Sequence, residues 1–322
     1  MIAAVLFDLG DTLIHFEAVD LNAAFALAAQ QTHQLLQEKL AGPMPSPQQY
    51  RRRQFRALRW AYFKSQITGR EFDSTDILRE TTRKLGIDVP DDFYDELAWQ
   101  WYKALADASQ TAPDAHATLE ELQRRRLRLG IVSNTFVSAI SLDRHLQAEG
   151  LLRFFPVRVY SCDMGIRKPR REIFHEALDR LGVAAEQTLF VGDNFKIDIL
   201  GALRAGMYAA HKASMPTRKL ADRRAFHIRR LDELPGLIDH YLAQGGVTLP
   251  KVNLLTPTPE PAPYASAADA AIHLAYFYQT GCRDCDRVSL DLNYLQGRYP
   301  QLVVHEFDVK AEAALCEWLG QR

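Results

Sequence analysis

The sequence predicts an α/β protein built on a parallel sheet, with an all-helical insertion near the N-terminal end and a small βαβα unit near the C-terminal end. Three observations predict it. An apolar strand opens the chain, about ninety residues of helical periodicity follow, and helices then alternate with short apolar strands from Asp114 onwards. Alternation with brief connecting loops is typical of parallel strands that are covered by helices on both faces.

Composition and charge exclude several classes of protein. The chain has 322 residues, of which 47% are hydrophobic and 25% are charged, as in a soluble globular protein with more than one domain. No stretch approaches the ~20 apolar residues of a membrane-spanning helix. Lys and Arg number 39 against 40 Asp and Glu, so we expect neither nucleic acid nor a membrane as a partner. The early Asp8 and the lack of a basic start argue against a signal peptide, so we expect a cytoplasmic protein.

The first strand is the apolar run IAAVL, which leads into FDLGDTL at residues 7–13. A carboxylate at the end of a buried strand is costly unless something compensates its charge, so Asp8 is a candidate functional residue. Four helices are then predicted for the insertion, at residues 21–40, 46–66, 74–86 and 91–108. Helical spacing favours the interior of the insertion over substrate contact for Trp60, Tyr62, Trp101 and Tyr102. For the run Arg51 to Arg53 a solvated face is favoured over binding of an anionic group.

The rest of the predicted sheet comes from four apolar runs, at residues 127–133, 157–161, 188–192 and 207–213. Helical segments precede them or lie between them, at residues 116–126, 141–149, 171–182 and 197–206. Right-handed crossovers would bring the carboxyl ends of all these strands to one edge of the sheet, which is where ligands bind in such proteins.

Polar side chains stand at that edge in strand order: Asp8 and Thr12, then Ser133 and Asn134, then Lys168, then Asp193 and Asp198. A single such residue is usually a cap or a turn, but three carboxylates, a hydroxyl and an ammonium together favour phosphoryl transfer. Clustered carboxylates repel one another unless a divalent cation neutralises them, and hard oxygen ligands select Mg²⁺. Lys168 would offset negative charge and Ser133 would bind phosphate oxygens. That leaves Asp8 free to attack phosphorus and form an aspartyl-phosphate.

The segments FDLGDTL, GIVSN, GIRKP and VGDNFKID resemble the four ordered motifs of the haloacid dehalogenase (HAD) superfamily, over residues 1–243. The resemblance implies a Rossmann-like core, with the helical insertion in the place of a C1-type cap. It implies Asp8 as nucleophile and Mg²⁺ held by Asp8, the backbone carbonyl of Gly10 and Asp193, with Asp198 in support. It also assigns phosphate binding to Thr12, Ser133, Asn134 and Lys168, and it makes a small phosphorylated metabolite the expected substrate.

Gly10 departs from the phosphatase pattern of that superfamily, D-x-D-G-T, in which the second Asp is the general acid and base. Thr12 fixes the register, so Gly10 takes the place of the acid and Asp11 takes the place of the glycine. Neighbouring side chains at a strand end point to opposite sides, which leaves open whether Asp11 reaches the leaving group.

Three readings of this departure follow. In the first, the protein is a phosphatase whose proton comes from Asp11, the cap or solvent. In the second, its chemistry is that of the dehalogenase or phosphonatase branches, which also lack the acid. In the third, the site is degenerate and the protein binds or regulates. We favour the first reading, because the metal set and Lys168 are intact. The dehalogenase branch does not rely on Mg²⁺ and usually has an aromatic residue followed by glycine at these two positions, which Gly10 and Asp11 do not match.

A segment rich in Pro, Thr and Ala leads to a last strand-helix-strand-helix pattern, in which Cys282 and Cys285 form a C-x-x-C pair at the first strand-to-helix junction. The start of a helix favours a thiolate at Cys282. The order resembles the first half of thioredoxin- or glutaredoxin-like domains, which implies a redox pair. A zinc site is the alternative, with His273, His305 and Cys316 as the nearby ligands. So small a unit buries little core, and we expect weak or no oxidoreductase activity from it alone.

The sequence therefore predicts a core at residues 1–16 and 108–243, a helical C1-type cap at 17–107, a linker at 244–268 and a partial thioredoxin-like unit at 269–322. The leading functional hypothesis is a Mg²⁺-dependent phosphatase of a small phosphorylated metabolite. The alternatives are a redox-responsive regulatory or binding protein with a degenerate HAD site, and a bifunctional phosphatase and thiol-redox fusion.

Overall fold

The computed structural model describes residues 2–16, 21–40, 42–68, 70–214, 222–243, 272–278 and 302–308. The chain divides into two compact units, Met1–Gly246 and Val247–Arg322. The predicted linker, both predicted C-terminal helices and the pair Cys282 and Cys285 lie outside the described residues. Within them, no helix combines the length and the apolarity that crossing a membrane requires.

Six parallel strands form the main sheet of the first unit. In chain order they are β1 (Ala4–Phe7), β4 (Arg128–Ser133), β5 (Val157–Tyr160), β6 (Thr188–Gly192), β7 (Tyr208–Lys212) and β8 (Ala225–Ile228). They lie in the order β5-β4-β1-β6-β7-β8, with every neighbouring pair parallel. The predicted α/β class is confirmed. Strand β8 was not predicted, because its four residues, AFHI, are too few to show a period.

Strands β1 and β6 lie in the middle of this sheet. All four residues of β1 and all five of β6 are buried, as expected for strands covered on both faces. The covering helices are α5 (Ala115–Arg124), α6 (Ala139–Ala148), α7 (Ser161–Met164), α8 (Arg171–Leu181), α9 (Leu200–Arg204) and α10 (Leu234–Ala243). On one face Phe174 of α8 packs edge-on against Phe190 of β6, with ring centroids 5.1 Å apart.

The insertion is helical, as predicted. Its helices are α1 (Leu21–Lys39), α2 (Pro47–Thr68), α3 (Ser74–Lys84) and α4 (Tyr94–Asp107). Trp101 and Tyr102 belong to its interior, and the indole Nε1 of Trp101 donates to Gln54 Oε1 at 3.2 Å. The expectation of an interior position is wrong for Trp60, which is 61% exposed on the outer face of α2.

Two short strands at the base of the insertion were not predicted. Strand β2 (Ile14–His15) pairs antiparallel with β3 (Gln110–Thr111), so the chain leaves and re-enters the core through a small ladder. Two residues per strand are too few to show a period of two, and no sequence pattern therefore indicated them.

The second unit contains two described strands, β9 (Ile272–Tyr278) and β10 (Leu302–Asp308). Both were predicted, and they pair in parallel from Ile272 opposite Leu302 to Tyr278 opposite Asp308. Parallel neighbours need a crossover of roughly a dozen residues or more, and residues 279–301 are long enough to supply one.

Candidate active site

Side chains from neighbouring strand ends meet at the carboxyl edge of the main sheet. Asp8 follows β1, and Asp193 follows β6, which lies beside β1. Ser133 ends β4 on the other side of β1 and is buried. Lys168 enters from the loop between α7 and α8. The parallel order of the strands therefore brings together residues that are up to 185 positions apart in the chain.

The carboxylate of Asp8 lies against the ammonium of Lys168. Nζ of Lys168 donates to Asp8 Oδ1 at 2.6 Å, and the backbone N–H of Asp8 donates to the carbonyl of Val191 at 2.8 Å. Burial raises the pKa of Asp8 to about 7, because the opposing effect of Lys168 is outweighed by burial together with the charges of Asp198 and Asp193. The negative charge of Asp8 is therefore only partly compensated, and a further cation would stabilise its ionised form.

Lys168 is a buried cation with two carboxylate partners. The residue is 3% exposed, and its Nζ lies 2.8 Å from Asp198 Oδ1 as well as 2.6 Å from Asp8 Oδ1. Burial alone would lower the pKa of Lys168, but the two carboxylates reverse the direction and raise it. The ammonium is therefore fully protonated at neutral pH.

Asn134 holds the backbone of Lys168. Its Oδ1 accepts from the N–H of Lys168 at 2.7 Å, and its Nδ2 donates to the carbonyl of Lys168 at 3.0 Å. Both ends of the side-chain amide are thus used to position the lysine. The predicted part of Asn134 in phosphate binding stays a prediction.

Asp8, Asp193 and Asp198 form a set of hard oxygen ligands. Each contributes a carboxylate oxygen, and these three atoms lie within 4.8 Å of one another. Oδ2 of Asp198 accepts from the N–H of Asn194 at 2.9 Å, and the buried Oδ1 lies 2.8 Å from Nζ of Lys168. Three carboxylates against one ammonium leave uncompensated negative charge, which fits a divalent cation such as Mg²⁺.

Two further contacts hold Asp193 in this set. Thr12 is fully buried, and its Oγ1 lies at the distant end of hydrogen-bond range from Asp193 Oδ1, at 3.4 Å. The backbone carbonyl of Asp193 accepts from Nε2 of His211 on β7 at 2.8 Å. Burial, together with the charges of Asp198 and Asp11, raises the pKa of Asp193. The described contact of Thr12 is with a carboxylate, and its predicted phosphate contact stays a prediction.

Comparison with known proteins assigns the chain to a family. A family model described as haloacid dehalogenase-like hydrolase matches residues 2–206. The chain belongs to this family. A haloacid dehalogenase-like hydrolase domain-containing protein 3 from Danio rerio is 30% identical over 174 residues, which cover 52% of this chain and 69% of that protein.

Two other proteins similar to this HAD-like chain carry more specific names. A glyceraldehyde 3-phosphate phosphatase from Methanothermobacter thermautotrophicus is 40% identical over 97 residues, 30% of this chain and 42% of that protein. This chain therefore spans less than half the length of that relative. A 2-haloacid dehalogenase from Pseudomonas syringae pv. Tomato DC3000 has a solved structure that is 27% identical, covers 75% of this chain and 100% of that one, and superposes with a TM-score of 0.51.

The loop that follows β1 in this HAD-like chain adopts a conformation that accounts for Asp11, one of the two unusual residues in FDLGDTL. Asp11 has a positive φ of 52°, a left-handed conformation that favours glycine and that Asp tolerates better than most residues. Its Oδ1 accepts from the N–H of Phe16 at 3.2 Å. Position 11 thus has a backbone conformation that suits a glycine, the residue that the D-x-D-G-T pattern has there, and the Asp11 side chain contacts the backbone just before the insertion.

Gly10 leaves open space where the pattern has its acid. A Cβ built at Gly10 would meet no atom within 4 Å, and the backbone there is not left-handed. No steric reason in the described residues therefore accounts for a glycine at this position.

Substitution of Gly192 by Ala is expected to displace Asp198. A Cβ at Gly192 would lie 2.6 Å from Cβ and Cγ of Asp198, too close for either residue to keep its place. We expect the free energy of unfolding to fall by about 1–3 kcal/mol, measured by urea denaturation. Gly236→Ala in α10 is the control, because nothing lies within 4 Å of its Cβ; a similar loss in both variants would contradict the steric explanation.

Sequence reasoning missed three residues that support the site. Nζ of Lys212 donates to the carbonyls of Asp11 and Thr12 at 3.1 and 3.0 Å and so holds the loop that follows β1. Arg167 and Glu71 form an ion pair beside the Lys168 loop, with Nε and Oε2 3.2 Å apart. The position of Arg167 next to Lys168 in GIRKP was a usable signal, whereas Glu71 lies between two predicted helices, where no pattern indicated a role for it.

Proposed function

We propose that this chain is a Mg²⁺-dependent phosphatase that hydrolyses a small phosphorylated metabolite through an aspartyl-phosphate on Asp8. The carrying observation is the cluster in which carboxylate oxygens of Asp8, Asp193 and Asp198 lie within 4.8 Å of one another, while the buried Lys168 pairs with Asp8 and Asp198. Membership of the HAD-like hydrolase family supports a hydrolase, and relatives named as phosphatases support the phosphate substrate.

Each residue of the cluster has a part in the proposed reaction. A carboxylate oxygen of Asp8 attacks phosphorus, a P–O bond forms to Asp8, and the bond to the leaving oxygen breaks with its electron pair. Water then attacks the aspartyl-phosphate, which releases inorganic phosphate and restores Asp8. Lys168 keeps Asp8 close to a positive charge and offsets the charge of the phosphate. Ser133, Thr12 and the backbone at Asn134 are the proposed phosphate contacts.

The carboxylates at the end of β1 and β6 suit Mg²⁺ as a cofactor. Asp8, Asp193 and the carbonyl of Gly10 would hold Mg²⁺, with Asp198 in support. When bound, the ion would supply the positive charge that three carboxylates and a phosphate need in order to approach one another. The residues themselves do the orienting: Asn194 and Lys168 hold Asp198, and Thr12 and His211 hold Asp193.

Gly10 restricts the leaving group. Without a carboxyl group at position 10, and with Asp11 bonded to Phe16, protonation of the leaving oxygen is inefficient. A leaving group that is stable as an anion, with a pKa near or below about 7, needs no such proton. We therefore propose acyl phosphates, phosphoanhydrides and aryl phosphates as the favoured substrate class over phosphate esters of simple alcohols.

Phosphate release from three compounds tests this proposal: acetyl phosphate, p-nitrophenyl phosphate and glycerol 2-phosphate, each with Mg²⁺ and with a chelator. We expect the first two to react at least about 10²-fold faster than the third, because general acid catalysis contributes roughly that much or more where it is present. The chelator should remove the activity. Equal rates on all three compounds, or rates that are independent of Mg²⁺, would contradict the proposal.

Dehalogenation is the second candidate reaction, and the structural likeness to a 2-haloacid dehalogenase favours testing it. Its substrate would also be attacked by Asp8, at carbon, with loss of halide. Halide release from 2-chloropropionate in a chelator, without phosphate release from any of the three phosphates, would replace the phosphatase proposal.

The division of the chain also belongs to the proposal. We propose the insertion at residues 17–107 as a C1-type cap that supplies substrate selection to the core at 1–16 and 108–243. For residues 269–322 we propose the first half of a thioredoxin-like unit, after a linker at 244–268. The parallel pairing of β9 with β10 supports a βαβ arrangement there. The redox role of Cys282 and Cys285 stays a prediction.

A further inference from the structure

The helical insertion contacts the Lys168 loop through the short connection between α2 and α3. Arg70 forms an isolated antiparallel bridge with Ile166, and the N–H of Glu71 donates to the carbonyl of Gly165 at 3.3 Å. The insertion thus has a backbone attachment within three residues of Lys168. A second backbone contact, from the N–H of Ser74 to the carbonyl of Phe136 at 2.6 Å, reaches the loop that follows β4.

Glu71 places a buried carboxylate at this attachment. Its side chain is 4% exposed, and its Oε2 lies 3.2 Å from Nε of Arg167. Oε2 also accepts from Oγ of Ser161 at 3.0 Å. Ser65 of α2 closes the group, because it accepts from Nη1 of Arg167 at 3.3 Å and lies 3.5 Å from Glu71 Oε1. A buried carboxylate with these partners is costly to leave unpaired, so its geometry is well determined.

Through its partners Glu71 is linked to both loops of the active site. Arg167 directly precedes Lys168 in the chain. Oγ of Ser161 also accepts from the N–H of Thr135 at 2.8 Å, next to the Asn134 that clamps the Lys168 backbone. The ammonium of Lys168 lies 2.6 Å from Asp8, and Asn134 holds the backbone of Lys168 from the core side. Glu71 provides the matching support from the insertion side.

We propose that Glu71 is a positioning residue: through Arg167 and Ser161 it fixes the loop that presents Lys168 to Asp8. The insertion then contributes to the chemical step as well as to substrate selection. This inference rests on the proposed phosphatase function. Displacement of a catalytic group by about 1 Å can cost on the order of 10²-fold in rate, so a modest shift of this loop has a measurable effect.

The test compares Glu71→Gln with Glu96→Gln, by steady-state kinetics on p-nitrophenyl phosphate with Mg²⁺. Glu96 of α4 forms another ion pair between insertion and core, with Arg144 of α6 at 2.6 Å, but it does not touch the Lys168 loop. We expect Glu71→Gln to lower kcat about 10- to 10²-fold with little change in KM. Glu96→Gln should leave both constants within about twofold, because an exposed pair contributes little.

Hydrogen exchange of the peptide that contains residues 161–168 separates this inference from the proposed function. We expect faster exchange in Glu71→Gln than in wild type, and wild-type exchange in Glu96→Gln. If Asp8→Asn keeps wild-type activity, the proposed function fails, and faster exchange in Glu71→Gln alone still supports the positioning. If Asp8→Asn is inactive while Glu71→Gln keeps wild-type kcat, or if exchange in residues 161–168 does not change, the inference is overturned.

Discussion

Replacing Gly10 with Asp is expected to raise the rate of hydrolysis of glycerol 2-phosphate by about 10²- to 10⁴-fold, the usual contribution of a general acid and base. Position 10 is two residues after Asp8, and in extended backbone such residues face the same side. The new side chain has room, because no atom lies within 4 Å of a Cβ built there. Phosphate release at saturating Mg²⁺ measures the effect.

One further variant and one further substrate show whether the gain comes from proton transfer. Gly10→Asn has nearly the same shape without a titratable group and should stay at the wild-type rate. Gly10→Asp with acetyl phosphate should show a much smaller gain, because that leaving group departs without a proton. A gain of the same size in Gly10→Asn, or no gain in Gly10→Asp with an intact fold, would contradict the explanation that we give for the restricted leaving group.

The double variant Gly10→Asp with Asp11→Gly tests whether the left-handed backbone at position 11 accepts glycine and whether Asp11 supplies a proton. Asp11 has a φ of 52°, where glycine is unstrained. The cost of that conformation for a residue with a Cβ is roughly 1–2 kcal/mol, and it is offset here by the bond from Phe16 N–H to Asp11. We expect the double variant to match Gly10→Asp in rate, since Asp11 does not supply the proton in this interpretation.

Asp8→Asn is expected to lower the hydrolysis of every phosphate substrate by on the order of 10⁴-fold or more, as removal of a nucleophile does in other covalent mechanisms. The amide cannot form the aspartyl-phosphate, and among the described residues only Asp8 both follows β1 and pairs with Lys168 Nζ. Asp92→Asn, an exposed change on the insertion, is the control. Activity that survives in Asp8→Asn would rule out Asp8 as the nucleophile.

The same variant should change the dependence of stability on pH in metal-free buffer. The pKa of Asp8 is raised from 3.8 in the unfolded chain to about 7 in the fold, so the ionised form is disfavoured in the native state. Its cost is absent below pH 4, grows between pH 4 and 7, and is complete above pH 7, at most about 4 kcal/mol.

Asp8→Asn removes this cost while Lys168 keeps Asp198 as its partner. Above pH 7 we therefore expect the variant to be more stable than wild type, and between pH 4 and 7 we expect a flatter profile of the free energy of unfolding. Added Mg²⁺ should raise the melting temperature of wild type more than that of the variant. Equal pH profiles for the two proteins would contradict the poor compensation of Asp8.

Local patterns were enough to predict much of this protein. The apolar runs with helices between them predicted the parallel sheet, and the helical periodicity predicted α1 to α4. Chain order then placed Asp8, Ser133, Lys168 and Asp193 at one edge, because right-handed crossovers align the carboxyl ends of parallel strands. The register of FDLGDTL alone showed that Gly10 replaces an acid.

Other features carry no local signal. Strand β8 and the β2–β3 ladder are too short or too exposed to show a period, and Trp60 faces solvent although its helical spacing favoured the interior. The hydrogen bonds of the Asn134 side chain to the backbone of Lys168 depend on how two loops 34 residues apart meet.

The sequence by itself determined the fold class, the set of residues at the strand ends and the exchange of Gly10 and Asp11, because periodicity, strand order and motif register are properties of neighbouring residues. Only the tertiary structure decided which of these side chains touch. It pairs Lys168 with both Asp8 and Asp198, and it brings Glu71 from the insertion to Arg167 beside them. Such contacts join residues far apart in the chain, and their geometry follows from the packing of whole elements, which no local pattern encodes.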